Sequence, residues 1–236
     1  MIFKNLFQKQ DPIRENDKTL AEFFGVDAVD FKLIDPSEFT HVVIDVQKEF
    51  CDPSHPEERG TEDTHNISSH IARIMPKFRA AGLRTVVVYY DDCDEGYDEA
   101  FGGPHMIQTV ASDVKIAKHK TSAFEGSYID YTLKKENLNN LFISGFNASS
   151  CVLNTVRDAL RYKYNVVVLQ DCVGIDKNNH HETNDYVRKM QDSGAYAATS
   201  AEALEFFAAS SQNAPYLPIN NGDLIDQSEL DQTLAY

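Results

Sequence analysis

The sequence predicts an α/β fold in which a mainly parallel, six-stranded sheet lies between two layers of helices. Short, almost wholly apolar runs rich in β-branched residues alternate with segments whose apolar residues recur every three or four positions. Strands that are apolar on both faces belong to a sheet that is buried on both sides, and intervening helices make neighbouring strands parallel. We therefore expect a three-layer α/β/α sandwich.

The predicted strands are the apolar runs at residues 41–45, 84–90, 114–117, 140–145, 165–169 and 195–198. Helical spacing marks segments near residues 67–78, 128–138, 152–160, 186–190 and 203–207. A doubly wound sheet of this kind has the strand order 3-2-1-4-5-6, which makes strands 1 and 4 neighbours at the switch point. Because ligands bind beyond the carboxyl ends of the strands at that point, the residues there are the first candidates for a functional site.

One domain accounts for most of the chain. The 236 residues, 42% of them apolar, suffice for one substantial core. The alternating pattern covers residues 39–210, whereas residues 1–38 form an N-terminal extension with one predicted helix near residues 19–24. Residues 211–236 form an acidic tail, which is either disordered or docked on the body or on a partner subunit.

Composition argues against several classes of function. A formal net charge of −15 repels a phosphate backbone, so we expect no nucleic-acid partner. No apolar run approaches the roughly 20 residues of a membrane helix, and residues 1–5 lack the apolar core of a signal peptide, which predicts a cytoplasmic protein without a membrane partner. The cysteines are widely spaced and form no Cys-x-x-Cys pair, which predicts reduced thiols.

Strands 1 and 4 are followed by a carboxylate and a thiol. Asp45 directly follows three apolar residues, and Cys151 opens the helical pattern after strand 4. A thiol in the first turn of a helix lies near the positive end of the helix dipole, so we expect its pKa to fall below the reference of about 8.5. Asp45 also suits a turn cap, and Cys151 also suits a core position, but their place at the switch point favours a functional site.

A lysine follows strand 3. Lys118 gains a role if the sheet brings it beside Asp45 and Cys151, where its charge would stabilise a carboxylate and a thiolate. Lys120 competes for this role, because spacing alone does not separate the two lysines. A thiol oxidoreductase is an alternative if another cysteine approaches Cys151; the other cysteines are Cys51, Cys93 and Cys172.

Several motifs, taken together and in order, resemble the isochorismatase-like cysteine hydrolase superfamily, which includes nicotinamidases and N-carbamoyl amidohydrolases. They are the segment 43–50, the Lys-x-x-x-Ser-Ala-Phe pattern at 118–124, and the run 141–145 that leads to Cys151. Further matches reach residues 201–204, so the resemblance spans residues 39–207. It implies the Rossmann-like fold of that superfamily.

The resemblance implies a catalytic triad of Asp45, Lys118 and Cys151. In that triad Asp45 accepts the thiol proton, Lys118 stabilises the charges and Cys151 attacks a carbonyl to form an acyl-enzyme. The resemblance also implies a cis peptide bond between Phe146 and Asn147, with the backbone N–H groups of Asn147 and Cys151 as an oxyanion hole. Relatives that hydrolyse isochorismate typically lack this cysteine, so Cys151 implies cleavage of a C–N bond in a small amide, carbamoyl or ureido compound.

The walls of a substrate pocket are expected from the loops around the same edge of the sheet. The candidates are Gln47, Phe50, Phe124 and Phe146. Aromatic residues at these positions clamp a small planar substrate or pack in the core.

We expect neither a metal nor a cofactor. Metal-dependent nicotinamidases carry Asp-x-His after strand 2 and another histidine about six residues on, where this chain has Asp91, Cys93 and Glu99. First-row metal ions prefer imidazole ligands in a coherent set. No Gly-x-Gly-x-x-Gly or Gly-Lys-Ser/Thr motif occurs, which disfavours a nucleotide cofactor.

Two expectations concern partners and the alternative function. The apolar residues of the tail are too few for a core of their own and gain most from burial against a neighbouring subunit, so we expect a homodimer that binds a small-molecule substrate. The alternative is a non-catalytic binding protein on the same fold. The presence of all three triad residues disfavours that alternative.

Overall fold

The computed structural model describes residues 18–25, 35–55, 59–91, 102–176 and 182–212. Six strands form one sheet in the order β3-β2-β1-β4-β5-β6, and every pair of neighbours is parallel. The predicted α/β class and strand order are confirmed. The strands are β1 (Phe39–Ile44), β2 (Arg84–Tyr90), β3 (Val114–Lys118), β4 (Asn140–Gly145), β5 (Asn165–Val173) and β6 (Tyr196–Ala198).

Helices flank the sheet on both sides. They are α1 (Leu20–Phe23), α2 (Lys48–Cys51), α3 (Glu62–Ala80), α4 (Ile129–Lys135), α5 (Cys151–Arg161), α6 (Thr183–Asp192) and α7 (Ser200–Gln212). A search of the described residues finds no helix with the length and apolarity needed to cross a membrane.

Alternate residues of the central strands supply two separate cores. Val42 and Ile44 of β1 pack with α4, α5 and α6, whereas Val43 packs with α1, α3 and α7. All six residues of β1 are buried, as expected for a strand covered on both faces. The three-layer sandwich thus follows from apolar strands that have no solvent face.

The largest difference from the predicted elements is in β5. This strand continues to Val173, and its register with β4 shifts between Ile143 and Gly145. The extra length carries Asp171 and Cys172 into the strand and brings Gly174 to the loop after β4, where its N–H donates to the Gly145 carbonyl at 3.2 Å. Strand pairing between distant segments decides this extension, so local apolar spacing did not reveal it.

The described part of the N-terminal extension packs on the body. Helix α1 begins with a capping box made by Thr19 and Glu22, and Leu20 is buried in the core that α3 and α7 share. At the other end, α7 continues to Gln212, two residues past the predicted boundary of the tail. Residues 213–236 lie outside the described ranges.

Candidate active site

Asp45 lies where β1 ends and the chain turns. Its N–H still donates to the Val88 carbonyl of β2 at 2.9 Å, but its φ of 50° is in the left-handed region, which Asp tolerates better than most residues. The side chain is only 1% exposed. The turn therefore places a carboxylate inside the protein at the carboxyl edge of the sheet.

Lys118 is the last residue of β3 and reaches Asp45 across the end of β2. Its Nζ lies 2.8 Å from Oδ2 of Asp45, and its side chain is fully buried. The same Nζ donates to the Lys120 carbonyl at 3.1 Å and lies 4.5 Å from the centre of the Tyr90 ring. The Lys120 side chain is exposed, so Lys118 is the lysine that the sheet brings to Asp45.

Cys151 is the first residue of α5 and lies beside this ion pair. Its Sγ is 3.5 Å from Nζ of Lys118, and the residue is 8% exposed. The structure therefore brings together the three side chains that the sequence predicts as a triad. Cys51 and Cys172 belong to the core on the other face of the sheet, and both are free thiols, which removes the basis for a redox pair between either of them and Cys151.

The thiol pKa differs from the sequence prediction. Burial, and after it the charge of Asp45, raise the pKa of Cys151 to about 11, although Lys118 acts in the opposite direction. The predicted lowering is wrong here, because desolvation and a nearby carboxylate outweigh the helix terminus and the lysine. Burial likewise raises the pKa of Asp45, against the effect of Lys118. A carboxylate with a raised pKa is a stronger base, which suits it to accept the thiol proton.

The loop between β4 and α5 supports the thiol. Gly145 has a φ of 121°, and a Cβ there would lie 1.9 Å from the Ile44 carbonyl oxygen, so only glycine fits this crossing. The Phe146–Asn147 peptide bond is cis, as the resemblance implies. Within the described residues, the N–H groups of Asn147 and Cys151 donate to no acceptor. Both donors remain available to an oxyanion.

The three aromatic residues predicted as pocket walls are packed in the interior. Phe146 is fully buried in the core with α3, and Phe124 is 7% exposed and stacks on Tyr162. Phe50 is 5% exposed. Their observed contacts are core packing, one of the two roles expected for them, and a contact with the substrate stays a prediction.

Gln47 holds backbone segments together. Its Nε2 donates to the carbonyls of Tyr90 and Gly102 at 3.0 and 2.9 Å, and its Oε1 accepts the Tyr90 N–H at 2.7 Å. Both amide hydrogens are thus used by the backbone. Gln47 therefore fixes the loops beside the site, and its place in the wall of a substrate pocket stays a prediction.

One buried cluster near this edge escaped the sequence analysis. Asp176, three residues after β5, contacts both the side chain of Asn147 and the guanidinium of Arg59. The rule that sites form beyond the carboxyl ends of parallel strands pointed to this position once β5 was correctly bounded. No sequence signal marked Arg59, which lies in the loop between α2 and α3.

The possible metal positions are only partly described. Asp91 follows β2, whereas Cys93 and Glu99 lie outside the described residues. Among the described residues, His70, Asp171 and Cys172 place suitable ligand atoms within 4.8 Å of one another. Asp171 already accepts hydrogen bonds from Ser200 N–H and Oγ at 2.8 and 2.7 Å, and these bonds tie the start of α7 to β5. These hydrogen bonds give Asp171 a structural role at the start of α7, and the expectation of no metal stays a prediction.

Comparison with known proteins agrees with this architecture. Residues 40–202 match the family model of the isochorismatase domain. The chain belongs to the isochorismatase family.

Sequence relatives of this family member include a ureidoacrylate amidohydrolase, RutB, from Caulobacter vibrioides. It is 23% identical over 194 aligned positions, which cover 66% of this chain and 83% of the relative. A maleamate amidohydrolase from Pseudomonas putida is 26% identical over 74 positions, covering 31% of this chain and 35% of that protein.

Solved structures share the fold of this family member. A cysteine hydrolase from Pseudomonas syringae superposes with a TM-score of 0.62 at 19% identity, covering 75% of this chain and 95% of that one. A pyrazinamidase from Pyrococcus horikoshii, solved in complex with zinc, gives a TM-score of 0.57 at 20% identity and covers 68% and 99%. These structures support the three-layer α/β assignment.

Proposed function

We propose that the protein hydrolyses a C–N bond in a small amide, carbamoyl or ureido compound through an acyl intermediate on Cys151. The observation that carries the proposal is the buried group of Asp45, Lys118 and Cys151 beside two N–H donors. Its parts match the needs of covalent acyl transfer, namely a nucleophile, a base, a fixed cation and an oxyanion site.

In the acylation step, the Cys151 thiol gives its proton to Asp45 as Sγ attacks the carbonyl carbon. The carbonyl oxygen becomes an oxyanion, which the N–H groups of Asn147 and Cys151 stabilise. Collapse of the tetrahedral intermediate breaks the C–N bond, and the proton held by Asp45 passes to the departing nitrogen. Lys118 stabilises the carboxylate before proton transfer and the thiolate during it.

In the deacylation step, Asp45 accepts a proton from water, whose oxygen attacks the thioester carbonyl. The C–S bond then breaks, the acid product forms and the proton returns to sulfur. The site finishes in its starting protonation state, so each turnover consumes one water and needs no redox partner.

The relatives support C–N cleavage as the reaction class. Those named above are a ureidoacrylate amidohydrolase, a maleamate amidohydrolase and a pyrazinamidase. All three names describe action on an amide or ureido group. The first two name compounds that also carry a carboxylate.

A panel of small primary amides, carbamoyl compounds and ureido compounds tests this proposal, with ammonia release as the measurement. The matched blank is Cys151→Ala, which removes only the thiol. We expect at least one class to be hydrolysed by the wild type and by no more than the background rate in the variant. Turnover of none of them, with the protein folded, would favour a non-catalytic binding protein.

We also propose that the protein is a cytoplasmic homodimer whose interface includes the terminal segments. The support is energetic, because apolar residues of a polar tail gain about 25 cal/mol per Å² when buried against another subunit. Light scattering at micromolar concentration and physiological salt tests this. A mass of 26.6 kDa, that of one chain, would contradict it.

A further inference from the structure

Arg59 carries a guanidinium that the proposed chemistry does not use. Its Nε and Nη2 lie 2.9 and 2.8 Å from Oδ2 of Asp176, whose side chain is fully buried. The same guanidinium lies 4.4 Å from the centre of the Phe50 ring. Asp176 therefore occupies one edge of the guanidinium, and Phe50 covers one face.

The other edge of this guanidinium has no hydrogen-bond partner among the residues that the structure describes. A third of the Arg59 side chain is exposed, and its Nη1 donates to no atom in the described part of the chain. A guanidinium has five N–H donors, of which Asp176 takes two. The edge formed by Nη1 and Nη2 has the geometry that binds a carboxylate through two parallel hydrogen bonds.

Asp176 joins this guanidinium to the catalytic loop. Its Oδ2 accepts a hydrogen bond from Nδ2 of Asn147 at 3.3 Å, and its N–H donates to Oδ1 of Asn147 at 2.8 Å. Asn147 supplies one of the two proposed oxyanion donors. The charge of Arg59 also acts on Asp45, whose pKa it lowers. Arg59 is therefore linked through Asp176 and Asn147 to the position where the scissile carbonyl would bind.

The backbone beside Arg59 is closely packed. A Cβ on Gly60 would lie 2.4 Å from the carbonyl carbon of Asp52, so the chain after Arg59 is pressed against the end of α2. This packing holds the backbone at Arg59, and the contacts with Asp176 and Phe50 hold its guanidinium before any ligand binds. A cation that is already ordered loses little conformational entropy on binding.

We propose that Arg59 binds a carboxylate on the substrate, so that the site selects small amides or ureido compounds that carry a negative charge. This inference rests on the proposed C–N hydrolase function. The formal charge of −15 repels such substrates at long range, but salt screens that repulsion beyond about 8 Å. A fixed guanidinium supplies the local attraction that the chain as a whole lacks.

The test compares maleamate with (Z)-but-2-enamide, in which a methyl group replaces the carboxylate. Arg59→Gln should raise KM for maleamate by about 10- to 100-fold, the range expected for charged hydrogen bonds. KM for the neutral amide should stay unchanged, whereas loss of the charge that acts on Asp45 and Asp176 should lower kcat for both amides alike. Arg59→Lys keeps the positive charge that Asp176 needs for folding but loses the paired N–H donors of the guanidinium. KM for maleamate should therefore rise less in this variant. The matched control is Arg73→Gln, which removes an exposed arginine of α3 and should change neither substrate.

A purely positioning role for Arg59 predicts a different result. If Arg59 only held Asp176 and Asn147 in place, Arg59→Gln would change KM for both amides by the same factor, and that result would overturn the proposal. Calorimetry with maleate gives a readout without turnover, because the wild type should bind this dicarboxylate and Arg59→Gln should not. Equal binding by both proteins, or no binding by the wild type, overturns the inference, whereas failure of the C–N hydrolase proposal appears only in the ammonia panel.

Discussion

Ion pairs of similar length lie at the two edges of the sheet, but their surroundings differ. At the carboxyl edge, Lys118 and Asp45 are 2.8 Å apart with both side chains buried, and the neighbours of the lysine include a thiol. At the amino edge, Arg79 grips Asp113 through two nitrogens at 2.9 and 2.6 Å, and Asp113 also accepts the Val110 N–H. The Lys118–Asp45 pair has a single contact and lies beside a reactive thiol. The Arg79–Asp113 pair is a fork, with two parallel contacts between guanidinium and carboxylate, and its hydrogen bonds are satisfied.

The comparison indicates that the two ion pairs have different tasks. A buried ion pair with a single contact recovers little of its desolvation cost, so it is weak evidence for stabilisation. The Lys118–Asp45 pair instead keeps a base and a cation in place next to Cys151. The Arg79–Asp113 fork joins the end of α3 to the residue before β3, which is a structural task. The two edges should therefore respond differently to loss of their cations.

Loss of the carboxyl-edge cation should have the largest effect, and on activity. In Lys118→Met the pKa of Asp45 rises further, because the cation that lowers it is gone. A larger fraction of Asp45 is then protonated at any given pH and cannot accept a proton, so the rate should fall about 10²- to 10⁴-fold. Because the base ionises only at higher pH, the variant should recover activity as pH rises. A pH–rate profile of Lys118→Met that keeps the wild-type shape would contradict this role of the lysine.

Loss of the amino-edge cation should instead lower stability. Arg79→Met leaves Asp113, which is 1% exposed, without its partner, and we expect the free energy of unfolding to fall by about 3 kcal/mol. Activity per folded molecule should be unchanged. Arg84→Met is the control at the same edge, since its pair with Glu136 is more than one-third exposed and should contribute less than about 1 kcal/mol. Urea unfolding measures both, and equal losses would contradict the structural role of the fork.

A smaller effect is expected from His41, which lies on β1 between the two edges. Burial lowers its pKa from 6.5 to about 3, and it contacts Ser144 at 2.9 Å. Below pH 6.5 His41 of the unfolded chain binds a proton, whereas the buried ring of the folded protein stays neutral. The free energy of unfolding therefore falls as pH falls. From pH 7.5 to pH 5 the loss should be about 2 kcal/mol. Urea unfolding of His41→Gln should lack this part of the pH dependence, and identical pH slopes in both proteins would contradict it.

The sequence was sufficient to predict the parallel sheet and the residues at the carboxyl ends of its strands. Asp45 follows a strand, Lys118 ends one and Cys151 opens a helix, and parallel topology brings such positions to the same edge of the sheet. The sequence was insufficient where distant segments decide the outcome. The extension of β5, the contact of Arg59 with Asp176 and the raised pKa of Cys151 all depend on what packs around them. Short-range sequence patterns identify Cys151 as the first residue of a helix, but they do not predict that its side chain is buried.

Covalent catalysis by Cys151 is tested most directly by adding hydroxylamine during turnover of a hydrolysed amide. A thioester on Cys151 partitions between water and hydroxylamine, so hydroxamate should form at the expense of the acid. Cys172→Ala, which removes a buried thiol on the other face of the sheet, should behave like the wild type, and Cys151→Ala should form neither product. Acid as the sole product, with turnover retained in Cys151→Ala, would contradict the account.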